Sequence, residues 1–399
     1  MNSKSLQAPI KKKSKRILFQ FEKDTNAPTV VFFAGVHGNE KAGVVALKQV
    51  YNRLDQKGLK GNVYGVLGNL KALESNQRYI DADLNRLWTK DSIDEILTKE
   101  HLHTEEQELK ALFKQLEHIL SLHTGPLYFI DLHTTSSKTV PFITINDAMI
   151  NRAFSKLFPV PIVLGIEEYL EGPLLSYINT LGYVSIGFES GQHTDISSVE
   201  NNIAFIHLAL VFAEIIDKDE VDFNMYFEKL RHASENVSRF FEIVHLQRIK
   251  SGDTFKMYDG FKSFQPIVKG TPIGRFNGSK IRSKYNGRIF MPLYQNKGSE
   301  GFFIIKSIPW FFLKLSRILR RFKADRLLIA LMGIYWHDKK KGVLKSNLKI
   351  TRFLAKPLFH VLGYRSRQIT EDYVYLYNRE RIAKIELYKN TKWAKDERL

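Results

Sequence analysis

A continuous apolar run, Thr29-Val-Val-Phe-Phe-Ala34, passes directly into Gly35-Val-His-Gly-Asn-Glu40. A strand with one wet face would show a polar residue at every second position, so this run reads as a strand covered on both faces. Covering both faces requires a layer of helices on each side. The chain supplies them. Helical patterns span Ala42 to Leu54, residues 92 to 121, Leu174 to Leu181 and Ser197 to Ile216. Between them lie short apolar strands at Val63–Leu67, Leu127–Leu132, Pro141–Ile145, Pro161–Leu164 and Val184–Phe188. This alternation predicts an α/β layered domain. After about residue 240 glycines punctuate short apolar runs such as Ile289-Phe-Met-Pro-Leu-Tyr294, which predicts a small all-β domain. After Pro309 the chain reads as helical and basic.

The charge follows the same division. Of the 399 residues, 60 are Lys or Arg and 42 Asp or Glu, a net of +18. Residues 301–399 hold 23 of the bases and 8 of the acids, so +15 sits in the last quarter and the body is nearly neutral. That distribution argues against nucleic-acid binding along the whole chain, and no sequence-specific nucleic-acid motif is present. The chain has no cysteine, which excludes a thiol nucleophile, an iron–sulfur cluster and a Cys-ligated zinc. Met1 to Arg16 is polar and Lys-rich, with Lys11–Arg16 read as a solvated arm. It lacks the apolar run of a secretory signal, so a cytoplasmic location is expected. No window of ~18 apolar residues suits a spanning helix.

Four motifs carry chemistry. In Gly35-Val-His-Gly-Asn-Glu40, His37 and Glu40 stand three apart at the C-terminal end of a buried strand, where open α/β sheets place their sites. Imidazole and carboxylate suit Zn²⁺, although a Gly-rich turn with a helix-capping glutamate has the same pattern. In Ile130-Asp-Leu-His133-Thr-Thr-Ser-Ser137 a second histidine ends a strand, and Asp131 reads as its support. Arg78-Tyr-Ile-Asp-Ala-Asp-Leu-Asn85-Arg86 offers two arginines and an amide for an anion, or else a solvated loop with local ion pairs. Glu189 closes the apolar strand of Ser185-Ile-Gly-Phe-Glu189-Ser-Gly-Gln-His193, where burial raises a carboxyl toward a general base. It could equally be a satisfied strand-end carboxylate. His193 reads as a solvent-facing loop residue.

Taken in this order, the motifs resemble the succinylglutamate desuccinylase/aspartoacylase family, relatives of zinc carboxypeptidases. The resemblance covers roughly residues 17 to 306, including Asn286-Gly-Arg-Ile-Phe-Met-Pro-Leu-Tyr-Gln and Glu300-Gly-Phe-Phe, and stops before the basic quarter. It implies a zinc-carboxypeptidase-like mixed sheet flanked by helices over 17–238 and a small β domain over 239–306, and the residues beyond it read on their own pattern as a basic, mostly helical extension over 307–399. It further implies one Zn²⁺ per chain on His37, Glu40 and His133. Glu189 would move the proton, Arg78 would steady the oxyanion, and Asn85 and Arg86 would hold a carboxylate of a small N-acylated substrate. The expected reaction is hydrolysis of an amide in an N-acyl amino acid or similar small carboxylate. A zinc carboxypeptidase or ester hydrolase is the nearest alternative, and a catalytically silent membrane-surface binding protein the alternative of another class. The family's N-acyl-aspartate enzymes use a further arginine about ten residues before the glutamate. Here Gly165 to Phe188 contains no Arg or Lys, and Ser176, Tyr177 and Asn179 occupy that neighbourhood. The family's aromatic substrate contact has no aligned counterpart, with Tyr294 offset.

The extension has its own signature. Ile308–Phe322 mixes Trp and Phe with Arg and Lys at helical spacing, and Leu327–Trp336 and Lys339-Lys-Lys341 follow. This composition fits either a helical layer packed on the body or peripheral contact with an anionic membrane through 308–341. Oligomeric state is not legible.

Overall fold

The computed structural model describes residues 15–235, 237, 239–351, 356–368 and 372–397. Residues 11–14 of the basic arm lie outside that range. Eight strands lead the chain: β1 (Ile17–Phe21), β2 (Thr29–Ala34), β3 (Asn62–Leu67), β4 (Leu127–Thr135), β5 (Phe142–Ile145), β6 (Ile162–Leu164), β7 (Val184–Gln192) and β8 (Phe240–Arg248). Then come β9 (Phe255–Met257), β10 (Pro266–Ile267), β11 (Pro272–Phe276), β12 (Ser279–Arg282), β13 (Gly287–Phe290) and β14 (Glu300–Ser307). One mixed sheet runs in the order β1-β3-β2-β4-β7-β5-β6-β8-β14-β13-β10. Its centre, β3-β2-β4-β7, is parallel, and antiparallel pairs enter at β1, between β7 and β5, and from β8 to β14 onward.

Every residue of β2, β3 and β4 is buried. Along β2, Val30, Phe32 and Ala34 join one apolar cluster, while Val31 and Phe33 join another on the opposite face. The unbroken apolar run therefore feeds two cores, as strands sandwiched between helix layers require. The mixed sheet flanked by helices is the fold the sequence predicts.

Three expectations need correction. The single helical pattern over 92–121 is two helices, Lys90–Thr98 and Thr104–Leu122. Glu106 accepts a bond from the His103 backbone N–H at 2.7 Å and starts the second helix afresh. The small β domain is not separate in its pairing. Strands β8, β14, β13 and β10 continue the main sheet, and β12-β11-β9 form the separate three-stranded sheet. Gln247, Leu246 and His245 pair with Phe302, Phe303 and Ile304, which ties the glycine-punctuated region to the body. Finally, the extension is not mostly helical. It contains β15 (Ile334–Asp338), β16 (Val343–Asn347), β17 (Tyr364–Gln368) and β18 (Tyr373–Asn378), an antiparallel sheet ordered β15-β16-β18-β17. In Tyr373-Val-Tyr-Leu-Tyr-Asn378 buried residues alternate with half-exposed ones, the period-two signature of a strand that the high basic charge obscured.

The end of the chain returns to the first core. Tyr388 is fully buried. Its hydroxyl donates to the Leu127 carbonyl and accepts from the Val184 N–H at 3.0 Å. Trp393 packs against Tyr128 and Phe154, and its Nε1 donates to the Tyr128 hydroxyl at 3.2 Å.

Candidate active site

The cleft lies at the C-terminal ends of the parallel strands. His37 and Glu40 follow β2, His133 is near the end of β4, and Glu189 lies in β7. The β4–β7 register makes His133 and Glu189 direct neighbours. Gly38 lets the β2 loop close on the helix Leu70–Ser75. A Cβ there would come within 2.0 Å of the Ala72 carbonyl carbon, so only glycine fits. The loop 78–86 is pinned from below by Glu105, a fully buried carboxylate. It accepts from the backbone N–H groups of Ile80, Asp81 and Ala82 at 2.6, 2.9 and 3.1 Å.

All seven residues singled out from the sequence line this one cleft: His37, Glu40, Arg78, Asn85, Arg86, His133 and Glu189. His37 Nδ1 lies 2.8 Å from Glu40 Oε1, and His133 Nδ1 lies 3.0 Å from Glu40 Oε2. The outer nitrogens face other carboxylates. His37 Nε2 is 3.0 Å from Asp83, and His133 Nε2 is 2.6 Å from Asp131. With Nε2–H donated to those aspartates, both Nδ1 lone pairs face the oxygens of Glu40. Acceptor then opposes acceptor unless a proton or a cation lies between them. The three ligand atoms lie within 4.8 Å of one another and all three residues are buried. Two imidazoles and a carboxylate, each imidazole backed by a second carboxylate, are the donor set and support that Zn²⁺ takes. The residues fit the ion.

The electrostatics separate two glutamates. Burial alone would raise Glu40, but His37 and His133 overcome it and hold its carboxyl well below the usual range. Glu189 lacks such support. Burial, helped by the charges of Glu40 and Asp131, pushes it up to about 8 against the pull of His133 and Arg78. Its Oε2 is buried with no hydrogen-bond partner among the described residues, as is one oxygen of Asp131.

The arginines are held in place by carboxylates. Arg78 contacts Asp83 at 3.1 Å and Glu40 at 3.4 Å. Arg86 contacts Glu300 at 3.1 Å, and Asn85 accepts from the Leu174 N–H at 2.9 Å. Sequence reasoning passed over Asp83, Glu105 and Glu300, whose roles depend on contacts across the fold. It also underrated His193. That residue lines the cleft, with Nδ1 2.8 Å from Thr134 Oγ1 and Nε2 3.3 Å from Gln295. Tyr294 faces away, bonded to Tyr258 and Phe261, and Gln295 lines the cleft in its stead.

Residues 26–209 match the family model of the succinylglutamate desuccinylase/aspartoacylase catalytic domain. Over these residues, a little under half of the chain, it is similar to that family's catalytic domain. It is 35% identical over 131 residues to a probable aspartoacylase of Acaryochloris marina, a match covering 31% of this chain and 40% of that protein. It is 34% identical over 110 residues to a succinylglutamate desuccinylase of Yersinia enterocolitica, covering 27% of this chain and 32% of that one. These matches span less than half the length of either relative. Among solved structures, the succinylglutamate desuccinylase/aspartoacylase from Rhodobacter sphaeroides superposes with a TM-score of 0.55 at 16% identity, over 72% of this chain and 87% of that one. The product-bound ectoine utilization protein EutE (DoeB) from Ruegeria pomeroyi gives 0.54 at 16%, over 73% and 88%. Identities this low establish the shared fold.

Within that family's fold the cleft has a distinctive lining. Among the described residues, its arginines and lysines are Arg78 and Arg86. Ser176 occupies the wall from Gly165 to Phe188 and exchanges hydrogen bonds with Asn146 at 3.1 and 3.2 Å. Ile145, Ile166, Leu170, Leu175, Met291 and Phe303 add an apolar surface.

Proposed function

We propose that this chain is a zinc-dependent deacylase that hydrolyses the amide bond of a small N-acylated amino acid or similar carboxylate. The observation that carries the reading is the convergence of His37, Glu40 and His133 beside Glu189, fixed by the β4–β7 register. His37, Glu40 and His133 would hold one Zn²⁺ per chain, and the ion when bound would supply a Lewis acid for the acyl carbonyl and a water nucleophile near neutral pH. Glu189 removes the proton of the attacking water and returns it to the departing amine nitrogen. Arg78, already oriented by Asp83, donates to the oxyanion that forms at the acyl carbon. Arg86 and Asn85 bind the substrate carboxylate, which takes over the place Glu300 holds on Arg86. Asp83 and Asp131 keep both imidazoles in one tautomer.

The lining also supports a specificity. A second substrate carboxylate finds no spare cation among the described residues of the cleft, while an aliphatic side chain or acyl group finds the apolar wall. The preferred substrate therefore carries one free carboxylate. The test is a panel of N-acyl amino acids on zinc-loaded protein. N-acyl derivatives of apolar amino acids should exceed N-acetylaspartate in kcat/KM by at least tenfold. A strong preference for N-acetylaspartate would overturn the specificity, and no turnover of any N-acyl amino acid by zinc-loaded protein would overturn the function.

A further inference from the structure

Of the sixteen large apolar residues exposed among the described ones, ten fall between Trp310 and Tyr335. Trp310 is 70% exposed, Phe322 78%, Leu327 73% and Met332 83%. The helix Trp310–Arg321 shows how this arises. It turns Ser316 and Arg320 inward, and Arg320 is bound by Asp147 and Glu380 at 2.9 Å each. Trp310, Phe311, Lys314, Ile318 and Arg321 fall on the opposite side by helical spacing, and each is exposed. The apolar stripe thus faces away from the body, contrary to a helix that merely packs on it.

Some cations beside this stripe are paired, Arg317 with Glu397 and Arg381 with Asp325, and five are not. Arg321, Lys323, Arg326, Lys339 and Lys340 have no carboxylate partner among the described residues, and all five line one cavity beside the helix. Lys314 lies over the Trp310 ring at 5.3 Å. No helix among the described residues is long and apolar enough to cross a membrane.

We propose that residues 310–340 form a docking face for an anionic lipid surface. Aromatic and aliphatic side chains enter the boundary between headgroups and acyl chains, and the five free cations bind headgroup phosphates. Charge chooses between occupants. A second copy of the chain would set the same basic cavity against itself. A nucleic acid would satisfy the cations but leave the projecting Trp, Phe, Leu and Met side chains without a partner, since such interfaces are polar and wet. An anionic bilayer satisfies both halves. The inference stands independently of the deacylase reading.

Vesicle co-sedimentation of the full chain tests it, with phosphatidylcholine vesicles compared with vesicles containing 30% phosphatidylglycerol. Binding should be at least tenfold stronger to the anionic vesicles, and should weaken steeply in half-molar salt because screening shortens the reach of the cations. Phe311→Ser with Phe322→Ser, and separately Arg321→Glu with Lys323→Glu and Arg326→Glu, should each remove binding while the melting temperature stays put. Trp310 fluorescence offers a reading on the unaltered chain. A blue shift should appear with anionic vesicles and be absent in Trp310→Phe. Equal binding to both vesicle types, binding to neither, or a salt-resistant dimer with no lipid binding would each overturn the proposal.

Discussion

Glu189 and Glu40 are both buried carboxylates in one cleft, yet their surroundings drive them apart. Glu40 has two imidazoles to share its charge, and Glu189 has none in hydrogen-bonding contact. The group left without a partner is the one able to carry a proton at neutral pH. Glu189→Gln should therefore keep metal stoichiometry near one and lower kcat by about 10²–10⁴-fold, the usual worth of a general base. A variant with full kcat on the best substrate would move the role elsewhere. His37→Ala and His133→Ala should bind less than a tenth of the wild-type zinc, measured by metal analysis after dialysis. Asp131→Asn tests the support of His133. It keeps the shape but replaces an acceptor with an amide that can present a donor, and should weaken zinc affinity about 10–100-fold, with the ligands intact.

At the scale of elements, the strands that lead to His37, Glu40, His133 and Glu189 are the most legible part of the chain. An unbroken apolar run has few alternatives to a doubly covered strand, and Gly35-Val-His-Gly-Asn-Glu40 marks its end. Asp83, Glu105 and Glu300 were illegible because each acts on a partner that only the fold brings near: His37 is 46 residues from Asp83, and Arg86 is 214 from Glu300. The same holds for Asp147, just after Asn146 of the cleft wall. Its carboxylate meets Arg152 at 2.5 Å from the helix Met149–Ser155 that follows it, and Arg320 at 2.9 Å and Arg365 at 2.6 Å from the extension. Burial would raise Asp147, but these three charges overcome it and hold the carboxyl well below its ordinary value. The folded state consequently binds fewer protons there than the unfolded chain. The stability this provides is complete above the unfolded pKa of about 3.9 and is lost as the pH falls through the lower folded value. Asp147→Asn should cost about 3–5 kcal/mol at pH 7, because three buried guanidinium groups lose their shared counter-charge. The gap to wild type should narrow below pH ~4. Chemical denaturation across pH 3 to 7 checks both points, and a pH-independent difference would mean that packing, not charge, dominates at this site.

For the molecule as a whole, the charge map and the packing map do not divide the chain at the same place. Charge marks residue 301 onward as foreign to a nearly neutral body. Packing does not respect that line. Tyr388 and Trp393 sit in the same apolar cluster as Phe32 and Ile130, and the Tyr388 hydroxyl bridges Leu127 and Val184, at the starts of the two strands that carry His133 and Glu189. Arg320 and Arg365 hold Asp147 from the other side. Removing everything after residue 306 would expose that cluster. It would also strip Asp147 of two of its three arginines, leaving a carboxylate whose burial had been matched by them. Large core aromatics such as these are each worth about 3–5 kcal/mol when removed, comparable with a substantial share of a domain's total stability of about 5–15 kcal/mol. A chain ending at 306 should therefore aggregate or melt far below the full-length protein. Tyr388→Ala and Trp393→Ala in the full chain should each lower the melting temperature while leaving the exposed stripe at 310–322 intact. A truncated protein that is monomeric, melts with the full-length one and binds zinc would show that the extension folds against the body without supporting it, and the catalytic sheet would then owe its stability to residues 17–306 alone.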